Sequence, residues 1–206
     1  MNRNKQTTLI KTFDLLAKTY TNKFTFDQLE KERLLSLISL WHIKENSTAL
    51  EVGGGTGDLT PFLLKEIKPN GQLIFLDISP KMIEVAKTKL RKFKNIEFVT
   101  GDIHTFKSKK KVDTILIFNT FPHLFDKKTA FRNCHEMLKP GGKLIICHNE
   151  SRMSICLHHV KKAVSLSISD FPEDDEVHNL LVTSGFTVNL FENNEGWNYY
   201  LVIASK

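Results

Sequence analysis

Glu51, Gly53, Gly55, Gly57 and Asp58 close an apolar run in the segment Leu50-Glu51-Val52-Gly53-Gly54-Gly55-Thr56-Gly57-Asp58. Glycines at alternate positions let a backbone turn with positive φ, or lie against a ligand with no Cβ in the way. The dinucleotide fingerprint needs its third glycine three residues after the second, and Asp58 stands there instead. An acid beside the loop repels a phosphate and suits a cation. Asp77 ends the next apolar run, and Gly101-Asp102-Ile103 follows the one after. A carboxylate accepts two donors well, so Asp77 suits the paired hydroxyls of a ribose. NAD enzymes carry an acid at the same place, so Asp77 points to a nucleoside without choosing between cofactors.

Two polar clusters come later in the chain. One is Phe118-Asn119-Thr120-Phe121-Pro122-His123. The other is Cys147-His148-Asn149-Glu150-Ser151-Arg152, with His158 and His159 beyond it. A histidine side chain can carry a proton to or from a substrate near neutral pH, so His123 suits proton transfer, or else caps and packs ahead of a helix, while His148 and His159 suit the role of bases or metal ligands. Arg152 has the forked donor geometry for an acidic acceptor. His104, His123, His148 and His159 leave a metal centre open as a minor alternative. They lack tight ligand spacing, so no metal is assigned.

The elements that must carry these residues follow from periodicity. Leu9, Phe13, Leu16 and Tyr20, then Leu34, Leu37, Ile38 and Trp41, recur at helical spacing, which predicts helix over about 9–40. Strands are expected at 48–52, 72–76, 95–100, 112–118 and 143–148. Helices are expected at 59–67, from Ser79-Pro80 onward, and at 127–138. Such alternation argues for a parallel sheet covered on both faces. Pro140-Gly141-Gly142 is expected to end the helix before it and reverse the chain. Helices near 155–166 and 174–184 precede two strands, 186–191 and 199–204, joined through Glu192–Gly196.

The chain resembles the class I S-adenosylmethionine-dependent methyltransferases. Their first motif, an acid followed by Gly-x-Gly-x-Gly, is matched by Glu51, Gly53, Gly55 and Gly57. Phe13-Asp14-Leu15-Leu16-Ala17-Lys18-Thr19-Tyr20 is similar to the opening helix of quinone-type and other small-molecule members, and Lys139-Pro140-Gly141-Gly142 to a family turn. The resemblance implies that the glycine loop wraps the methionine part of S-adenosyl-L-methionine and that Asp77, with Ile78 beside it, holds the ribose. It implies that Asp102 accepts a hydrogen bond from the adenine amino group, that Ile103 packs on the base, and that Asn119 completes the cofactor set. The Asn119 segment departs from the motif of enzymes that methylate the amines of bases. The His148–Arg152 segment is similar to a pattern in bacterial methyltransferase-like proteins, with Cys156 where those often carry Asn.

The expected fold class is therefore α/β: a Rossmann-like, seven-stranded, mostly parallel sheet with an antiparallel C-terminal strand pair and helices on both faces. Residues 1–206 form one domain, in which 1–45 is a helical lid, 46–150 the cofactor core and 151–206 the substrate side. The expected activity is in-line methyl transfer to a small-molecule acceptor, with His123, His148 and Arg152 as the catalytic candidates. A non-catalytic module binding S-adenosylmethionine or S-adenosylhomocysteine is the alternative, with an NAD-dependent oxidoreductase behind it.

Bulk properties agree with this. The 206 residues and 41% hydrophobic content suit one α/β domain, and no apolar run nears the roughly 20 residues of a membrane span. The net charge of +6 is mostly lysine on helix and loop faces, which disfavours a nucleic-acid partner. Cys134, Cys147 and Cys156, odd in number, read as reduced thiols of a cytoplasmic protein. Oligomeric state is left open.

Overall fold

A computed structural model describes residues 3–20, 27–161 and 171–206, with the side chains of the first two and of residues 20 and 158–161 excluded. The chain divides into two compact units, Met1–Phe106 and Lys107–Lys206.

The first unit begins with two helices, α1 (Arg3–Tyr20) and α2 (Gln28–Trp41). The helical stretch expected over 9–40 is carried by these two helices, and Asp27 is the reason α2 starts where it does. Its carboxylate accepts from Glu30 N at 2.8 Å, while Glu30 Oε2 accepts from Asp27 N at 3.0 Å. This reciprocal cap satisfies two of the amide donors that a helix start leaves over. Leu34, Leu37, Ile38 and Trp41 form the buried stripe of α2, as their spacing predicts.

Strands and helices then alternate: β1 (Thr48–Val52), α3 (Thr60–Ile67), β2 (Gln72–Asp77), α4 (Pro80–Lys89) and β3 (Ile96–Thr100). β2 lies between β1 and β3, parallel to both. The register pairs Val52 with Leu76 and Asp77 with Thr100, so the three strands end level. Ligands of open parallel sheets gather outside such ends. Phe75, Ile83, Ala86 and Leu90 form a buried cluster beneath α4.

The second unit holds β4 (Val112–Phe118), α5 (Lys127–Met137), β5 (Leu138–His148), α6 (Arg152–Lys161), α7 (Asp174–Thr183), β6 (Thr187–Asn194) and β7 (Tyr199–Ser205). β4 and β5 are parallel, while β7 runs antiparallel between β5 and β6. The final hairpin turns at Glu195–Asn198, later than expected, because β6 continues pairing to Asn194.

The Lys139-Pro140-Gly141-Gly142 segment differs from its expected role. α5 already ends at Met137, with Leu138 extended, and the glycines lie inside β5. Val112 pairs with Leu138 and Thr114 with Lys143, so Asp113 faces a bulge of four residues. The terminal backbone holds the bulge. Gly141 N donates to Lys206 O at 3.1 Å, and Lys206 N to Gly142 O at 3.0 Å. A Cβ on Gly142 would stand 2.9 Å from Lys139 O, so the bulge itself requires glycine. Among the described residues, no helix is long and apolar enough to cross a membrane.

Candidate functional site

In the first unit, the loop after β1 is tied back onto β2. Gly53 N donates to Leu76 O at 2.8 Å, and Gly53, Gly55 and Gly57 all take positive φ. Two glycines show what the loop is shaped for. A Cβ on Gly54, which spacing alone did not single out, would lie 2.4 Å from the Phe75 ring. A Cβ on Gly55 would meet nothing within 4 Å, so the loop presents bare backbone to open space there.

Asp77 and the glycine loop are one assembly. Asp77 Oδ2 accepts from Gly55 N and Oδ1 from Ser79 N, both at 2.8 Å. The side chain is buried. Burial pushes its carboxyl above 3.8, against the pull of the Ser79 and Gly55 amides. Each oxygen keeps capacity for a second donor. Ile78 is half-buried beside it.

Glu51 is more deeply enclosed, at 2% exposure. Its Oε2 accepts from Thr60 Oγ1 at 2.8 Å. Burial raises its pKa from 4.5 to about 8, the Thr60 hydroxyl opposes this, and the charges of Asp77 and Asp58 add to it. Two adjacent carboxylates are thus held in a medium that disfavours negative charge, a setting that a cation would relieve.

Asp102 follows β3. Its Oδ1 accepts from His104 N at 2.9 Å and contacts His104 Nδ1. Its Oδ2 accepts from Gln6 Nε2 of α1 at 2.7 Å. Burial raises its pKa, but the His104 side chain and amide outweigh that and hold the carboxyl below 3.8. Ile103 is buried beside it. His104, one of the four candidate histidines, thus serves Asp102. α1 also reaches the β2 exit, where Asp14 Oδ1 accepts from Ser79 Oγ at 2.5 Å and from Lys81 N at 3.3 Å.

The second unit gathers the remaining candidates. Asn119, at φ 49°, receives the Asn149 amide on Oδ1 at 3.1 Å and donates its own to Cys147 O at 3.0 Å. It therefore links the exits of β4 and β5. His123 closes a short 3-10 turn over Phe121–His123, with its amide on Thr120 O at 2.9 Å. His148 is buried, its ring centroid 5.4 Å from Phe171 and 6.2 Å from Tyr200. Arg152 Nε donates to Pro172 O at 2.8 Å, and one Nη reaches Phe171 O at 3.4 Å and Glu173 at 2.5 Å. The fork expected to face an acceptor is thus engaged in holding the segment that seats Phe171 on His148. The side chains of His158 and His159 lie outside the described residues, as does Asp170.

Sequence reasoning missed Gln6, Thr60, Gly54 and Phe171. Asp14 lay within the quoted Phe13–Tyr20 motif without a role of its own. Among the described residues no three of His, Cys, Asp and Glu come together as a metal-binding group.

A methyltransferase-domain family matches residues 43–185. Among curated relatives, malonyl-[acyl-carrier protein] O-methyltransferase 1 of Ilyobacter polytropus is 36% identical over 129 residues, 62% of this chain and 47% of that protein. The ubiquinone/menaquinone biosynthesis C-methyltransferase of Legionella pneumophila is 28% identical over 154 residues, 69% of this chain and 59% of that protein. The chain thus spans about half the length of these relatives. A crystal structure of an S-adenosylmethionine-dependent methyltransferase from Aquifex aeolicus superposes with a TM-score of 0.71 at 22% identity, covering 89% of this chain and 95% of that one. The N-methyltransferase NodS of Bradyrhizobium japonicum, in complex with S-adenosyl-L-homocysteine, gives 0.67 at 21% identity, covering 89% and 90%. These likenesses show the fold: a Rossmann-like, seven-stranded, mostly parallel sheet with antiparallel C-terminal strands.

Proposed function

Since this chain belongs to the class I S-adenosyl-L-methionine-dependent methyltransferase family, with that molecule as its cofactor, we propose that it transfers a methyl group to a small organic acceptor. The observation that carries this reading is the assembly of Gly55 and Asp77, joined at 2.8 Å and set beside the buried Glu51. When bound, the cofactor supplies a methyl group on a positively charged sulfur. Asp77 holds the ribose hydroxyls through its remaining acceptor positions. The backbone of Gly53, Gly55 and Gly57 lines the methionine part, where a side chain on Gly55 would intrude. Glu51 and Asp77 favour positive charge, and the desolvation they suffer is relieved when a cation arrives. Asp102 and Ile103 receive the base.

On the acceptor side, His148 is the group we assign to the proton, with His123 as the second candidate. Arg152 acts as a positioning residue, through the 171–173 segment it holds. Support for a small organic acceptor group comes from the relatives, one named for malonyl-[acyl-carrier protein] and one for ubiquinone/menaquinone biosynthesis. The test is incubation with S-adenosylmethionine and a panel of small carboxylic acids, phenols and amines, reading S-adenosylhomocysteine by mass spectrometry. Acceptor-dependent product formation supports the proposal. Tight cofactor binding with no turnover on any acceptor would favour a non-catalytic module.

A further inference from the structure

The contact between Gln6 and Asp102 joins residues 96 apart in sequence and lies where the nucleoside is expected. Asp102 Oδ1 is already engaged by two donors of His104, its amide and its ring Nδ1. Oδ2 is therefore the oxygen left to read a base, and the Gln6 carboxamide holds it at 2.7 Å. A carboxamide NH2 and the exocyclic amine of adenine are the same kind of donor: planar, neutral and presenting two hydrogens. A buried carboxylate is costly to leave unpaired, so a surrogate donor has a physical purpose while no base is present.

The position of α1 gives the contact leverage. Asp14, on the same helix, is bonded to Ser79 Oγ and Lys81 N beside the Asp77 turn. Eight residues of helix separate Gln6 from Asp14, about 12 Å at 1.5 Å per residue. α1 thus touches the turn after Asp77 through Asp14, midway along the helix, and Asp102 through Gln6 near its start.

We propose that Gln6 is an affinity-setting residue of the adenosyl site, a built-in stand-in for the adenine amine that occupies Asp102 Oδ2 until the cofactor displaces it. This rests on the adenosyl reading of the site given above. Gln6 then sets affinity by competition: each binding event breaks the Gln6 bond and makes an equivalent one to the base, so the net gain from Asp102 is small. Removing the Gln6 donor leaves Asp102 to be satisfied by the ligand alone.

The test is calorimetric titration of S-adenosylhomocysteine into the wild-type chain, Gln6→Ala and Gln6→Met, the last keeping length and packing while lacking the donor. Circular dichroism melting confirms folding. Both variants are expected to bind roughly three- to tenfold tighter than wild type, the size of one hydrogen bond to a charged group moderated by water. Unchanged or weaker binding by Gln6→Met, with wild type still binding, overturns the competitive role and leaves the adenosyl reading standing. Absence of binding by all three folded proteins overturns both.

Discussion

Glu51→Gln isolates the electrostatic strain placed in the proposed cofactor site. The carboxyl sits at 2% exposure and its pKa rises from 4.5 to about 8, chiefly through burial. Between these two values the folded protein holds a proton that the unfolded chain has released, so stability falls as pH rises through that window. The fall is complete above pH 8. At 1.36 kcal/mol per pKa unit, the difference sets a ceiling of roughly 5 kcal/mol. Glutamine keeps the shape and can still accept from the Thr60 hydroxyl, which bonds Glu51 at 2.8 Å. The variant should match wild type near pH 4.5 and exceed it by about 1 kcal/mol or more at pH 9. Urea denaturation at several pH values, read by circular dichroism, gives the difference directly, since groups common to both proteins cancel. Parallel curves with no growing gap would show that the Glu51 carboxylate is well solvated, and the argument for a cation-seeking site would fail with it.

Asp77→Ala should weaken S-adenosylhomocysteine binding more than tenfold in a calorimetric titration, because it removes the charge-assisted bonds proposed to the ribose and releases the Gly55 amide that Asp77 holds. Gly54→Ala should lower the melting temperature by several degrees, since its Cβ would lie 2.4 Å from the enclosed Phe75 ring. Arg152→Ala should leave cofactor affinity within about twofold of wild type while lowering turnover, through release of Pro172 and Phe171; equal loss of both would show a general structural role.

The alternation of apolar runs made the strands and helices readable, because each element buries a face with its own period. The placement of Glu51, Gly55, Asp77 and Asp102 at strand exits was readable because each closes or follows an apolar run, and strand ends fall level in a parallel sheet. What escaped was long-range. Gln6 meets Asp102 across 96 residues and Asp14 meets Ser79 across 65, and no local pattern encodes such partners. Arg152 was read as facing an acceptor because its fork suits a carboxylate; the backbone carbonyls of Phe171 and Pro172 satisfy the same donors. The Pro140-Gly141-Gly142 turn looked like a helix stop, since bulge and cap ask the same freedom of glycine. The break between α1 and α2 was signalled by Asp27 and Glu30, a capping pair inside an otherwise periodic stretch.

The most direct measurement is a crystal structure of this chain soaked with S-adenosylhomocysteine. The account predicts the ribose hydroxyls on Asp77, the amino acid moiety along the Gly53–Gly57 backbone, and the adenine amine on Asp102 with the Gln6 amide displaced. Ligand density away from these acids, or a ligand-bound structure in which Asp77 and Asp102 keep only their present partners, would contradict it.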